Sequence, residues 1–458
     1  MDFRTVADRI ARDITSGKLG AGTRLPTQRR FARDHGIAVS TASRVYAELV
    51  RRGLVIGEVG RGTYVRAAPS VAESTLAEPS GAPVDLELNF PVLPEHTAVI
   101  AESLRAVLRP DVFAEALRAV GVAGTPVARA AAASLLARGG WSPQPEDILF
   151  AGNGRQAIAG AIAALVAPGE RLGVEDMTYA VVKGIAARLG VVLVPLETDG
   201  EGVTPSALSA AGSLSAVYLQ PTLHNPLGIS MGPERRLAIA DLLCFKDIPL
   251  IEDAIYSFLH DDPPLWPLVP RAVLVDSLSK RIAPGLSLGF AVTSPPLRPA
   301  VLTAIRSGSW SPQHVAMTAM TTWTTDGTAT RLRTDKRADA QTRQALLSHH
   351  LAGFAIQSDP RSYHAWWHLP PHWRPDTFIA TAARAGISLT PAASFAVPPT
   401  TPPQAIRLAL ASPPLPTLAL ARRLGCSARM LIRSASVDPM NASAAMVTPR
   451  AIEGQSRI

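Results

Sequence analysis

Hydrophobic positions recur four apart at the start of the chain: Val6, Ile10 and Ile14 share one face of FRTVADRIARDITS, and Gly17 follows. That spacing predicts an amphipathic helix over residues 3–16. A turn-rich KLGAGTRLP segment leads to Pro26 and Thr27, which open a second helix, TQRRFARDHG, stopped at Gly36. Ser40 is expected to cap a third helix, STASRVYAELVRRG, that ends at Gly53. Two β-prone runs, LVIGEV and GTYVRA, flank a tight turn at Gly60, Arg61 and Gly62. Three helices and a hairpin predict a winged helix-turn-helix over residues 1–66.

Residues 67–83 (AAPSVAESTLAEPSGAP) hold hardly a large apolar side chain to bury, which predicts a flexible linker. Over 84–425, β-prone runs such as AVYLQP, PLIEDA, AVLVDS and GFAVTS alternate with Ala- and Leu-rich helical stretches. This alternation predicts an α/β domain with a mostly parallel sheet. The longest apolar stretch, AIAGAIAALVA from Ala157 to Ala167, is far shorter than the roughly 20 residues of a bilayer span, and reads as a buried helix. Residues 426–458 lack sustained periodicity and predict a disordered tail.

Charge divides the chain in the same place as pattern. The whole protein carries +8, yet residues 1–66 alone contain thirteen Lys and Arg against six Asp and Glu, leaving almost nothing for the rest. A small basic unit points to nucleic acid and a near-neutral large one to small-molecule work. Cys244 and Cys426 have no metal-ligand spacing around them, so neither a disulfide framework nor a zinc site is expected. The N-terminus MDFRTVADRI lacks the apolar core of a secretory signal; a cytoplasmic protein, with no membrane partner, is the expectation.

In a helix-turn-helix the N-terminal side chains of the third helix reach base edges in the major groove. Here these are Ser40, Thr41, Ser43 and Arg44, with Arg44 suited to a bidentate contact with guanine. Arg29 and the wing residues Arg61 and Gly62 are positioned for backbone or minor-groove contact with double-stranded DNA. The run GAGTRLPTQRRFARDHGIAVSTASRVYAELVRRGLV followed by GRGTYV resembles the GntR-family winged helix-turn-helix.

In the second unit, Lys280 of VDSLSKRIAPGLSLGF stands after a β-prone run, where an amine can form an imine with an aldehyde cofactor. Asp253 of IEDAIYSF can pair with a protonated pyridine nitrogen, Tyr256 and Asn225 (PTLHNPLG) can reach a ring oxygen, and Tyr179 (EDMTYAV) offers a stacking face. Gly152, Gly154, Arg155 and Gln156 open a helix after a strand, a common anion site. In chain order these motifs resemble the fold type I aminotransferases, an α/β fold with a smaller C-terminal α+β subdomain. Joined to the GntR-type head, the whole resembles the MocR (GabR-like) regulators over residues 3–425.

The resemblance implies pyridoxal 5'-phosphate held by Lys280, with Ser277, Ser279 and the backbone at Arg155 and Gln156 on the phosphate and Arg407 (AIRLALA) on a substrate carboxylate. It also implies a homodimer. Two departures stand out. The arginine that the family places seven residues after the lysine is here Ser287, for which Arg281 is the candidate replacement, and RAVGVAGTPVA lacks the family's tyrosine upstream of Gly124. The expected function is a DNA-binding regulator that senses an amine or amino acid; the alternative is a working aminotransferase, and a third reading is a degenerate domain that has lost its cofactor.

Overall fold

The computed structural model describes residues 3–15, 18–20, 22–51, 54–58, 62–65, 81–308, 312–371 and 373–419. Nearly all of the expected linker and the whole of the expected 426–458 tail lie outside them, as does Arg61.

In the head, α1 (Phe3–Thr15), α2 (Gln28–Asp34) and α3 (Val39–Arg51) precede the antiparallel strands β1 (Val55–Glu58) and β2 (Gly62–Val65). Val6, Ile10, Phe31, Val45, Tyr46 and Leu49 form its core, so the four-residue spacing of α1 is the spacing of its buried face. Thr27 caps α2, its hydroxyl accepting from the Arg30 N–H at 3.4 Å. Ser40 does not cap α3. The Ala42 N–H already bonds the Ala38 carbonyl at 3.0 Å, so the helix begins before Ser40 and leaves that residue exposed in its first turn. Gly62 has φ +120° and packs on Arg24, whose Nε would lie 2.8 Å from any Cβ placed there.

The large unit is built on strands β3 (Ile148–Ala151), β4 (Arg171–Glu175), β5 (Val192–Leu196), β6 (Ala216–Leu219), β7 (Leu250–Asp253), β8 (Ala272–Ser277) and β9 (Gly289–Thr293), in the order β3-β9-β8-β7-β6-β4-β5. Only β9 runs antiparallel to its neighbours. Helices cover both faces, so the central strands are buried throughout and read as unbroken apolar runs. One face packs Ala157, Ile158 and Ile162 of helix α4 (Gly154–Leu165) on Val174, Ile251 and Val273; the other gathers Phe150, Leu274, Phe290, Met320 and Trp323. A four-residue helix, α5 (Leu278–Arg281), follows β8 directly.

The 23-residue helix α6 (Thr328–His350) leads to a smaller layer: β10 (Ala355–Gln357), β11 (His364–His368), α7 (Pro375–Arg384), β12 (Thr390–Pro391) and β13 (Ala405–Ala409). Its four strands lie in the order β10-β11-β13-β12, all antiparallel, with Phe378 and Ala382 of α7 packed on Trp367, Ile406 and Leu408. Among the described residues no helix is long and apolar enough to cross a membrane, and no cluster of His, Cys, Asp or Glu could hold a metal ion.

Candidate functional site

Parallel strands deliver their C-terminal ends to one edge of a sheet, and an open α/β sheet keeps its ligand crevice there. Asp253 ends β7, Ser277 ends β8, Gln220 follows β6, and the turn 152–154 joins β3 to α4. With residues of the small layer they line a cavity of about 340 Å³ that also takes in Tyr179, Asn225, Tyr256, Ser279, Lys280 and Arg407.

Asp253 is fully buried there, and burial pushes its pKa up to about 6. Three donors work against that rise by favouring the anion: Tyr218 Oη at 2.5 Å and Gln220 Nε2 at 2.8 Å on one carboxylate oxygen, and the Ile255 N–H at 3.0 Å on the other. Lys280 donates to the Asn89 carbonyl and lies 3.5 Å from the centroid of the Phe90 ring. Burial first, then the charges of Arg407 and Arg155, hold it well below the ordinary lysine value, which favours the nucleophilic free amine.

The short helix that carries Lys280 is held from outside. Lys336 of α6, fully buried, donates to the carbonyls of Lys280, Arg281 and Ile282 at 2.9, 3.0 and 2.7 Å. These are the carbonyls that a helix end leaves without intrahelical partners. Around the lysine, the Tyr256 hydroxyl accepts from Asn89 Nδ2 at 2.9 Å, and Tyr179 lies half-buried with the Arg155 guanidinium against its hydroxyl.

Arg407, on the inner strand β13, donates to Asn225 Oδ1 at 3.0 Å, to Thr390 Oγ1 at 3.3 Å and to the Glu87 carbonyl. Its Nε is buried without a partner, and the charges of Glu87 and Asp85 act on it without an ion pair at contact distance. A guanidinium so placed has hydrogen-bonding capacity left for an anion in the cavity.

Two of the expected cofactor contacts are corrected. Arg281 turns away from the cavity and is spent in a buried pair with Asp276, at 3.0 and 2.6 Å, with further bonds to the Leu135 carbonyl and Ser257. The Gln156 N–H is taken by the Asn153 side chain, which caps α4 at 3.0 Å, so the residues that open the helix toward the cavity are Gly154 and Arg155. Sequence reasoning alone misses Asn89, Tyr218, Gln220 and Lys336. Gln220 sits at the end of a β-prone run, a signal that could have found it, whereas Asn89 and Lys336 reach Lys280 only through the fold.

A second buried set lies behind Asp253. Glu175 accepts from the Gln220 N–H at 2.6 Å, and burial raises its pKa to about 8, while burial lowers the pKa of His224, 3.9 Å away, to about 3. Both are therefore neutral at pH 7, and their approach is not an ion pair.

On the head, Ser40, Ser43 and Arg44 lie on the exposed face of α3, Thr41 is half-buried and Arg29 is exposed on α2. Arg44 rests its guanidinium on the Phe3 ring, 4.1 Å from the centroid.

Fold and site together define a class: a winged helix-turn-helix joined to a fold type I, aminotransferase-like domain, whose fold implies dependence on pyridoxal phosphate. Residues 84–422 match the family of aminotransferases of class I and II, and residues 3–65 match the bacterial regulatory proteins of the gntR family. The chain is 30% identical to the uncharacterized HTH-type transcriptional regulator YdeF of Bacillus subtilis (strain 168), over 90% of each chain. It is 26% identical to the probable rhizopine catabolism regulatory protein MocR of Rhizobium meliloti, over 76% of this chain and 78% of that one. The solved structure of LysN, the α-aminoadipate aminotransferase of Thermus thermophilus, superposes with a TM-score of 0.70 at 20% identity, over 80% of this chain and 98% of that one. The chain belongs to the MocR-type, GntR-headed transcriptional regulators.

Proposed function

We propose that the large unit binds pyridoxal phosphate through Lys280 and receives an amine or amino acid there, and that this occupancy changes how the head binds its operator. The observation that carries the reading is the single cavity that joins Lys280, Asp253, Tyr179, Tyr256, Asn225 and Arg407. The cofactor, when bound, supplies an aldehyde that takes amines covalently and a ring that draws electrons. Asp253, anchored by Tyr218 and Gln220, holds the proton of the pyridine nitrogen; Tyr179 stacks on the ring, and Tyr256 and Asn225 donate to its oxygen. Arg407 binds a carboxylate on the incoming ligand and so orients its amine toward Lys280.

The working units are residues 1–66 and 84–425, and the head contacts double-stranded DNA through Arg29, Ser40, Thr41, Ser43, Arg44, Arg61 and Gly62. A ligand shifts operator affinity only by its difference in affinity for the two domain arrangements, so DNA and ligand each alter the other's binding. The protein acts as a homodimer, which sedimentation of the full chain checks.

Titrating the holoprotein with amino acids and with their decarboxylated amines, following the visible band and operator binding together, tests this reading. The expected outcome is a spectral change matched by a shift in operator affinity, with Arg407→Gln weakening the amino acids selectively. A spectral change with steady release of keto acid and no effect on operator binding favours the aminotransferase alternative, which draws on the same Lys280, Asp253 and Arg407.

A further inference from the structure

One end of the cavity is made of donors. Gly154 packs against Ser277, whose Oγ would lie 3.1 Å from any Cβ at that glycine. The Ser277 hydroxyl accepts from the Ser279 N–H at 3.2 Å, and the Ser279 and Ser287 hydroxyls are 2.7 Å apart. The first two N–H groups of α4, at Gly154 and Arg155, point out of the helix beside them with no partner among the described residues. The serine hydroxyls and the two amides of the helix N-terminus can satisfy the oxygens of a phosphate, but they carry no whole positive charge to balance a dianion.

The cations near this end are few. Lys280 is committed to the aldehyde in the proposed reading, Arg281 is neutralised by Asp276, and Lys336 is consumed by three carbonyls. Arg407 stands on the small layer and is engaged by Asn225, Thr390 and the Glu87 carbonyl. Arg155 remains. It lines the cavity, is exposed to it, and has no carboxylate partner among the described residues; its guanidinium rests against a neutral phenol, Tyr179.

We infer that the Arg155 side chain is the phosphate-binding cation of this protein, acting with Ser277, Ser279 and Ser287, and that it lets a serine stand at position 287. Its backbone N–H and its guanidinium then meet the same anion, one from the helix terminus and one from the flank. The inference rests on the proposed cofactor binding and adds which side chain supplies the charge.

The test compares pyridoxal phosphate with pyridoxal, which has the same ring and aldehyde but no phosphate. Apoprotein is titrated with each by visible absorption, for the wild type, Arg155→Gln, and Arg155→Gln combined with Ser287→Arg. Circular dichroism and thermal melting check that each folds. Arg155→Gln is expected to weaken pyridoxal phosphate about 10- to 100-fold, the range of a lost charged hydrogen-bond pair, and to weaken pyridoxal far less, by no more than the small change in the Lys280 amine that both compounds share. Ser287→Arg, entering the same hydroxyl cluster, restores most of the loss. Inorganic phosphate should compete with pyridoxal phosphate for the wild type and lose that ability in Arg155→Gln. Unchanged pyridoxal phosphate affinity in Arg155→Gln overturns the inference, as does equal weakening of both compounds, which would assign Arg155 to Tyr179 and the ring. A wild-type protein that binds neither compound overturns the cofactor reading itself, and this inference with it.

Discussion

At the scale of single residues, burial moves several groups in and behind the cavity away from their ordinary pKa values. Glu175 illustrates the consequence for stability. Its pKa is about 8 in the folded protein against an ordinary carboxyl value near 4.5, so the folded chain keeps a proton that the unfolded chain has released. More protons are bound to the native state between these values, and stability therefore falls as pH rises through that window. One such group gives a slope of at most about 1.4 kcal/mol per pH unit. Glu175→Gln is expected to flatten this part of the curve and to gain stability over the wild type as pH rises toward 8, measured by urea unfolding across pH 5–8. An identical slope in the variant would mean that another buried carboxyl carries it. Arg44 belongs to the same scale: its stack on Phe3 holds the guanidinium on the outer face of α3. Arg44→Ala should weaken operator binding by roughly 1 to 3 kcal/mol and relax base preference, read by titrating operator against scrambled DNA.

At the scale of elements, the decisive piece is α5, a helix of four residues that cannot hold its own shape. Lys336 supplies from α6 the donors that its last carbonyls need. Lys336→Met should cost roughly 3 to 5 kcal/mol in urea unfolding, because it leaves three buried acceptors unpaired, and should loosen cofactor retention measured by dialysis. Retention falling with stability untouched would show that Lys336 acts on the cofactor alone. Gly289, the first residue of β9, shows a second kind of dependence: a Cβ there would lie 2.3 Å from the Asn153 carbonyl oxygen, in the turn that caps α4. Backbone is the obstacle, so Gly289→Ala should cost about 1 to 3 kcal/mol and weaken cofactor binding together with melting temperature.

At the scale of the whole molecule, charge and chemistry are segregated. The head holds nearly the entire net charge, and the large unit holds the cavity. Operator binding should thus be strongly salt-dependent: each neutralised phosphate contributes about 3.5-fold on going from about 50 to about 200 mM salt. Cofactor binding, made in a buried crevice, should change little over the same range. Parallel titrations by fluorescence anisotropy and visible absorption check both halves, and equal salt dependence would contradict the segregation.

Much of this was legible in the sequence because it is local. Four-residue spacing marks α1, unbroken apolar runs mark the buried strands, and Lys280, Asp253, Asn225 and Tyr256 stand in short motifs whose chemistry depends on neighbours a few positions away. The surplus of Arg in residues 1–66 needed only counting. What local pattern could not supply is direction and partnership. Ser40 reads as a cap, yet packing of Ala42, Val45 and Leu49 against the head sets the phase of α3 and starts the helix before it. Arg281 stands next to Lys280 and reads as a phosphate ligand, yet successive residues of a helix point about 100° apart, and the buried carboxylate of Asp276 takes it to the other side. Asn89 and Lys336 meet Lys280 from 191 and 56 residues away. The sequence by itself thus determined which elements form, where the charge lies and which residue types can do the chemistry. Only the tertiary structure decided which side chains share the cavity, because those contacts are made between strand ends, helices and loops that no short-range pattern relates.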